Sequence, residues 1–223
     1  MHSTFSNKFT GKNITAIRGG KVLLTNLGFE ITGGNILILK GANGSGKSTL
    51  LRLMTGMMKP FDGHLNWNDT DISTEKLDHY NRLNYVGHLS GIKSELTAEE
   101  NLRFWLELYN TEYDDDTILE ALDAFNLSNE RTLATKFLSS GQKRKLALTR
   151  LVARSSPLWL LDEPTVGLDE QGLNFLESML EAHCESGGIA VIATHDEINI
   201  KQPPKQLRLT NFKSFPLDSN GRE

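Results

Sequence analysis

Residues 36–49 read Ile36-Leu37-Ile38-Leu39-Lys40-Gly41-Ala42-Asn43-Gly44-Ser45-Gly46-Lys47-Ser48-Thr49, an apolar run that passes into a glycine-rich loop and then into a helical pattern over Lys47–Thr55. Gly41 to Ser48 match G-x-x-x-x-G-K-[ST] in the setting that a P-loop requires, after a strand and opening a helix. Glycines let such a loop curl until successive N–H groups point inward at a phosphate chain. The positive end of the helix dipole reinforces that site. Gly41, Ala42, Asn43, Gly44, Ser45, Gly46, Lys47, Ser48 and Thr49 are therefore expected to bind nucleotide. Lys47 is expected to reach the β- and γ-phosphates and act in catalysis, and Ser48 to ligate Mg²⁺.

Two further apolar runs, Leu158–Leu161 and Ile189–Ala193, share with Ile36–Leu39 a lack of polar alternation. Such strands are buried on both faces, as in parallel sheets covered by helices. Each is followed by polar residues, where open α/β sheets place their ligands. After Leu161 come Asp162 and Glu163. Asp162 is placed to hold Mg²⁺ through water, and Glu163 to polarise an attacking water as general base. After Ala193 come Thr194 and His195, and a histidine at that strand end can hydrogen-bond a γ-phosphate and sense its departure.

A second anion site is expected at Leu138-Ser139-Ser140-Gly141-Gln142, which opens the basic helix Gly141–Ala153 and leaves N–H groups and hydroxyls at its N-terminus. Two phosphate-binding termini far apart in one chain imply that each grips a different nucleotide or completes its partner's site. Thr97 with Glu100, and Ser139 with Gln142, fit capping boxes. Asp169, in Gly167-Leu168-Asp169, fits the N-cap of the helix Glu170–Ser186. Short β-like runs lie at Asn13–Ile17, Leu27–Ile31 and His64–Asn68, and further helical patterns at Ala98–Asn110 and Thr117–Phe125. Consecutive helices between about 97 and 153 read as a helical subdomain inserted into an α/β core.

Composition narrows the function. With 223 residues, 38% hydrophobic and 23% charged, the chain is long enough for one domain with a real core. Its longest apolar run, Ile189–Ala193, falls far short of the roughly 20 residues needed to span a bilayer. Cys184 is the only cysteine, which rules out an intrachain disulfide and a cysteine zinc cluster. The adjacent pair His183-Cys184 reads as part of a surface helix. A net charge of −4 argues against a nucleic-acid binder, whose phosphate contacts need a basic surplus. The opening residues are basic and read as a solvated extension; from about Pro203 the chain reads as surface coil.

Together these residues resemble the ATP-binding subunits of ATP-binding cassette (ABC) transporters. The order is P-loop, Leu-Ser-x-Gly-Gln, Leu-Leu-Asp-Glu-Pro, Gly-Leu-Asp and Thr-His, over about Asn13 to Leu209. The resemblance implies an α/β fold: a P-loop NTPase ABC cassette with a mostly parallel core sheet, an N-terminal antiparallel β subdomain and an inserted α-helical subdomain. It divides the chain into an extension (1–12), one ATP-binding domain (13–209, helical part about 88–153) and a tail (210–223). It also implies a head-to-tail dimer with two ATP molecules sandwiched between copies. The P-loop of each copy would then face Ser139, Ser140, Gly141 and Gln142 of the other, with Asp169 helping to couple the two.

The segment Tyr85-Val86-Gly87-His88-Leu89-Ser90-Gly91-Ile92-Lys93, with Leu96-Thr97 and Glu100-Asn101-Leu102, is similar to the CcmA branch, the haem-exporter ATP-binding subunits of cytochrome c maturation. This resemblance implies membrane partners of CcmB and CcmC type, and peripheral attachment to the cytoplasmic face of the inner membrane or the matrix side of the mitochondrial one. ATP turnover would drive haem export or release of a haem-loaded chaperone. Another ABC exporter, or an ABC nucleotide switch outside transport, is the alternative. Three positions depart from most cassettes. His88 replaces a glutamine and is assigned to coupling, because imidazole is a poor ligand for Mg²⁺. Arg18 stands where an aromatic residue stacks on adenine, a role its guanidinium plane can fill. Ser140 replaces a glycine.

Overall fold

The computed structural model describes residues 7–88 and 91–209. Its centre is a five-stranded, fully parallel sheet of β3 (Asn35–Lys40), β6 (Leu83–Val86), β7 (Leu158–Asp162), β8 (Ile189–Ala193) and β9 (Lys205–Arg208), ordered β6-β7-β8-β3-β9. Period-two alternation divides its side chains between two cores. Ile36, Ile38, Trp159, Leu161, Ala190 and Ile192 pack with helices α3 (Ala98–Leu108), α4 (Asp115–Ala124), α5 (Ser140–Ala153) and α6 (Glu170–Glu185). Leu37, Leu39, Leu158, Leu160, Ile189 and Val191 pack on the opposite face. Their partners there are α1 (Lys47–Met54) and an antiparallel sheet of β1 (Lys8–Arg18), β2 (Lys21–Thr32), β4 (Asp62–Trp67) and β5 (Thr70–Asp71). Because the central strands run one way, Gly41, Glu163 and Thr194 emerge at the same edge of the sheet.

Both expected capping boxes form. Thr97 and Glu100 exchange bonds at the start of α3, and Ser139 and Gln142 at the start of α5. Asp169 caps α6 by accepting from Gly172 N at 2.9 Å.

Several expectations need correction. Residues 8–12, read as extension, belong to β1. Phe9 is fully buried, edge-on to Phe29 and tilted against Trp67. The flanking lysines and Gly11 hide this strand from a hydrophobicity pattern, and its ladder partners lie in β2 and in the distant β4. Residues 205–208, read as coil, form β9, an edge strand held to β3 by backbone pairing. Its largely exposed Lys-Gln-Leu-Arg sequence carries no burial signal, a composition usual for a sheet edge. The strand β6 and helix α2 (Lys76–Asn81) were not foreseen. Asn84 breaks the apolar run of β6, yet it is fully buried, donating to Arg154 O at 2.9 Å and accepting from Arg154 Nη1 at 3.1 Å. Residues 1–6 of the expected extension and the tail 210–223 lie outside the described residues.

His183 is likewise not a surface residue. It is 9% exposed, lies flat on Trp159 with ring centroids 3.9 Å apart, and its Nε2 sits 3.1 Å from Ile189 O. Burial pushes its pKa down to about 4, against about 6.5 in an unfolded chain. The unfolded chain therefore takes up the proton first as pH falls. The stability contributed by the neutral ring is complete above about pH 6.5 and is lost towards pH 4, about 3 kcal/mol in all. Denaturant melts are expected to show the wild type losing that increment across this range and His183→Phe showing no such pH-dependent loss. Equal pH slopes in the two proteins would show that the buried imidazole does not titrate in this way.

Candidate active site

The α1 helix begins at Gly46, whose φ of 96° is a left-handed conformation open to glycine; no side chain caps that end and no acidic residue occupies the first turn. Its N–H groups and dipole are thus left facing the site. A cavity of about 510 Å³ is lined there by Arg18, Leu23, residues 42–49, His88, Asp162 and Glu163. The expected residues from three strand ends and from the β1–β2 turn are brought together.

The Lys47 ammonium is buried and folded onto its own loop, donating to Gly41 O at 2.8 Å and Ala42 O at 3.4 Å. It also lies 2.9 Å from His195 Nε2, which is itself 2.9 Å from Asn43 Oδ1. His195 therefore reaches the loop from the end of β8. Its backbone N–H donates to Glu163 Oε2 at 3.4 Å, and its ring lies 3.6 Å from Glu163 Oε1. The turn carrying His195 is braced by Thr194 and by two residues the sequence reading did not name, Thr165 and Asp196. Thr165 Oγ1 donates to Asp196 Oδ2 at 2.6 Å, and Asp196 N donates to Thr194 Oγ1 at 3.0 Å.

Asp162 is buried, and its Oδ2 has no hydrogen-bond partner. An orphaned carboxylate oxygen in the cavity that Ser48 also lines is the donor chemistry that a hard divalent cation takes. Glu163 has φ 51°, a left-handed conformation that strains a non-glycine residue by about 1–3 kcal/mol unless its surroundings impose it. Here Glu163 N donates to Ala193 O at 2.7 Å, and Glu163 O accepts from Arg144.

Arg144 is the principal residue that the sequence reading missed. It sits about one turn into α5 and donates to Gly87 O at 3.0 Å, and also to Asp162 O and Glu163 O. Burial pulls its pKa below the usual arginine value, against the opposing pull of the nearby Asp162 and Glu163 charges. A signal was present. Arg144 occupies the stripe of Ala147, Leu148 and Leu151, a cation at an apolar-face position of a helix.

The expected second anion site is elsewhere. Ser139 and Ser140 are exposed, and residues 139–142 do not line the cavity. Gln142 Nε2 donates to Glu130 at 3.0 Å. Gly141 packs so closely on the loop before α6 that a Cβ would lie 2.5 Å from Gly167 O. Lys145 Nζ pairs with Asp169 Oδ2 at 2.7 Å, and with Gly172 N it holds that carboxyl below the usual carboxylate range. The start of α5 and the loop ending at Asp169 are thereby one continuous surface.

Comparison with known proteins follows the same lines. The ABC transporter family model matches residues 24–166. The cytochrome c biogenesis ATP-binding export protein CcmA of Paramagnetospirillum magneticum is 43% identical over 206 residues, covering 92% of this chain and 94% of that protein. Its namesake in Vibrio cholerae is 39% identical over 203 residues, covering 91% and 98%. A solved dimer of an ATP-binding cassette in a post-hydrolysis state, bound to ADP and Pi, is similar with TM-score 0.72 and 27% identity, covering 84% of this chain and 88% of that one.

Proposed function

The chain belongs to the ABC transporter family, and from that premise we propose that it is the ATP-hydrolysing subunit of a complex for cytochrome c biogenesis, working in haem export. The observation that carries the catalytic reading is the convergence of Lys47, Ser48, Asp162, Glu163 and His195 at one edge of the parallel sheet. The haem pathway is supported by the similarity to the CcmA proteins over nearly their full length.

In this reading the phosphates of ATP lie against the α1 N-terminus, and Lys47 exchanges its loop carbonyls for β- and γ-phosphate oxygens. Asp162 and Ser48 would hold Mg²⁺, which supplies charge neutralisation to the phosphates. Glu163 accepts a proton from the attacking water, and His195 contacts the γ-phosphate from the end of β8, between β7 and β3. Arg18 is assigned to the adenine side.

Ser139, Ser140, Gly141 and Gln142 lie outside the cavity, so we assign them to the nucleotide of a second copy. That a similar cassette was solved as a dimer supports a pair of copies, which we arrange head to tail so that each start of α5 meets the partner's P-loop. Asp169, on the surface continuous with Gly141, is assigned to coupling between copies. No helix among the described residues is long and apolar enough to cross a membrane. From the similarity to the CcmA proteins we assign the chain a peripheral place on the inner membrane, joined to subunits of CcmB and CcmC type. His88, exposed at the cavity rim, is assigned to coupling with them.

Complementation tests the pathway. In cells lacking their own cytochrome c maturation ATPase, this chain is expected to restore haem-stained bands on denaturing gels, and Glu163→Gln is not. A wild-type protein that hydrolyses ATP and reaches the membrane subunits but restores nothing would leave the ATPase and point to another exporter.

A further inference from the structure

The Arg144 guanidinium joins segments that the ATPase reading uses separately. Nη1 donates to Gly87 O, the carbonyl just before His88, while Nη2 donates to the carbonyls of Asp162 and Glu163. The guanidinium is carried by the helix that opens at Ser139. Its planar fork of five N–H donors reaches carbonyls from two loops through separate nitrogens in fixed geometry, whereas a lysine offers its three donors from a single point on a flexible stem. Glu163, as the residue at φ 51°, depends on those bonds and on Ala193 O for its backbone conformation.

We propose that Arg144 is a positioning residue for ATP hydrolysis: it fixes the backbone that carries the Glu163 carboxylate and locks it to the Gly87–His88 strand end and to the Ser139 helix. Through it, displacement of the His88 segment or of α5 moves the general base. This inference rests on the ATPase reading of the same site.

Arg154, at the far end of α5, is a matched comparator. It is also buried, and it donates to Leu83 O at 2.9 Å, Asn84 Oδ1 at 3.1 Å and Asn81 O, none of which lines the cavity. Arg154→Lys removes similar bonds away from the chemistry.

The test measures steady-state ATP hydrolysis and ATP affinity of the purified full chain as wild type, Arg144→Lys and Arg154→Lys. Misplacing a reacting group by about 1 Å can slow a reaction about 10²-fold, so Arg144→Lys is expected to lower kcat by roughly that factor at unchanged ATP affinity. Arg154→Lys is expected to lower the melting temperature while keeping kcat. Wild-type kcat in Arg144→Lys, an equal fall in Arg154→Lys, or a fall in affinity instead of kcat would each overturn the inference. Should Arg144→Lys fail to fold, Arg144→Gln is the second variant, whose shorter amide keeps a donor but cannot span the carbonyls of both loops. It is expected to lower kcat in the same way, and an unchanged kcat overturns the inference. A wild type that binds ATP but does not hydrolyse it removes the ATPase premise instead.

Discussion

Glu163→Gln is expected to bind ATP as the wild type does, to hydrolyse it about 10²–10⁴-fold more slowly, and to collect as an ATP-bound dimer. The substitution changes almost nothing but basicity. The backbone bonds to Ala193 O and from Arg144 are independent of the side chain, so the left-handed turn at residue 163 is retained. The amide oxygen of glutamine can still accept from His195 N, which in the wild type donates to Glu163 Oε2 at 3.4 Å. Only the ability to take a proton from water is lost. Because the loss falls on chemistry and not on binding, ATP holds the two copies together and hydrolysis no longer separates them. Single-turnover hydrolysis, with light scattering before and after ATP addition, reads both effects. Wild-type hydrolysis would mean that another group is the base. A variant that binds ATP but stays monomeric would count against sites shared between two copies.

Lys47→Ala is expected to fail earlier, at binding. Lys47 as a residue is only 7% exposed, and its ammonium already rests among acceptors at 2.8 Å and 3.4 Å within its loop. Phosphate oxygens can replace those carbonyls without a new desolvation of the cation. Hydrogen bonds to charged groups contribute about 1.5–3 kcal/mol each, so losing the ammonium is expected to weaken ATP binding at least about 10–10²-fold, with turnover falling further. The two variants are thus separable: Lys47→Ala loses affinity, Glu163→Gln loses rate. Equilibrium titration with ATP on protein whose melting curve is intact makes the comparison. Undiminished hydrolysis in Lys47→Ala would remove the phosphate-binding role from the loop.

The contrast between what was legible in the sequence and what was not has a physical basis. Gly41–Ser48, Asp162-Glu163 and Thr194-His195 were readable because each is local: a buried strand, a turn and the polar residues that follow, set by a few neighbouring side chains and backbone angles. The capping boxes at Thr97 and Ser139 were readable for the same reason, since their donors and acceptors lie three residues apart. The strand at Lys8–Lys12 and the edge strand Lys205–Arg208 were not readable. Their stability comes from pairing with distant segments, and their own side chains carry little hydrophobic pattern.

The sequence by itself determined the α/β class, the parallel core and the identity of the groups at three strand ends, because period, turn chemistry and capping act over short stretches of chain. Tertiary structure alone decided that His183 is buried on Trp159, that Lys8–Lys12 and Lys205–Arg208 join sheets, and that Arg144 binds the carbonyls of Gly87, Asp162 and Glu163. Each of these is a contact between residues far apart in the chain. Periodicity can mark a buried position, but only the packed fold selects which of many distant partners fills it.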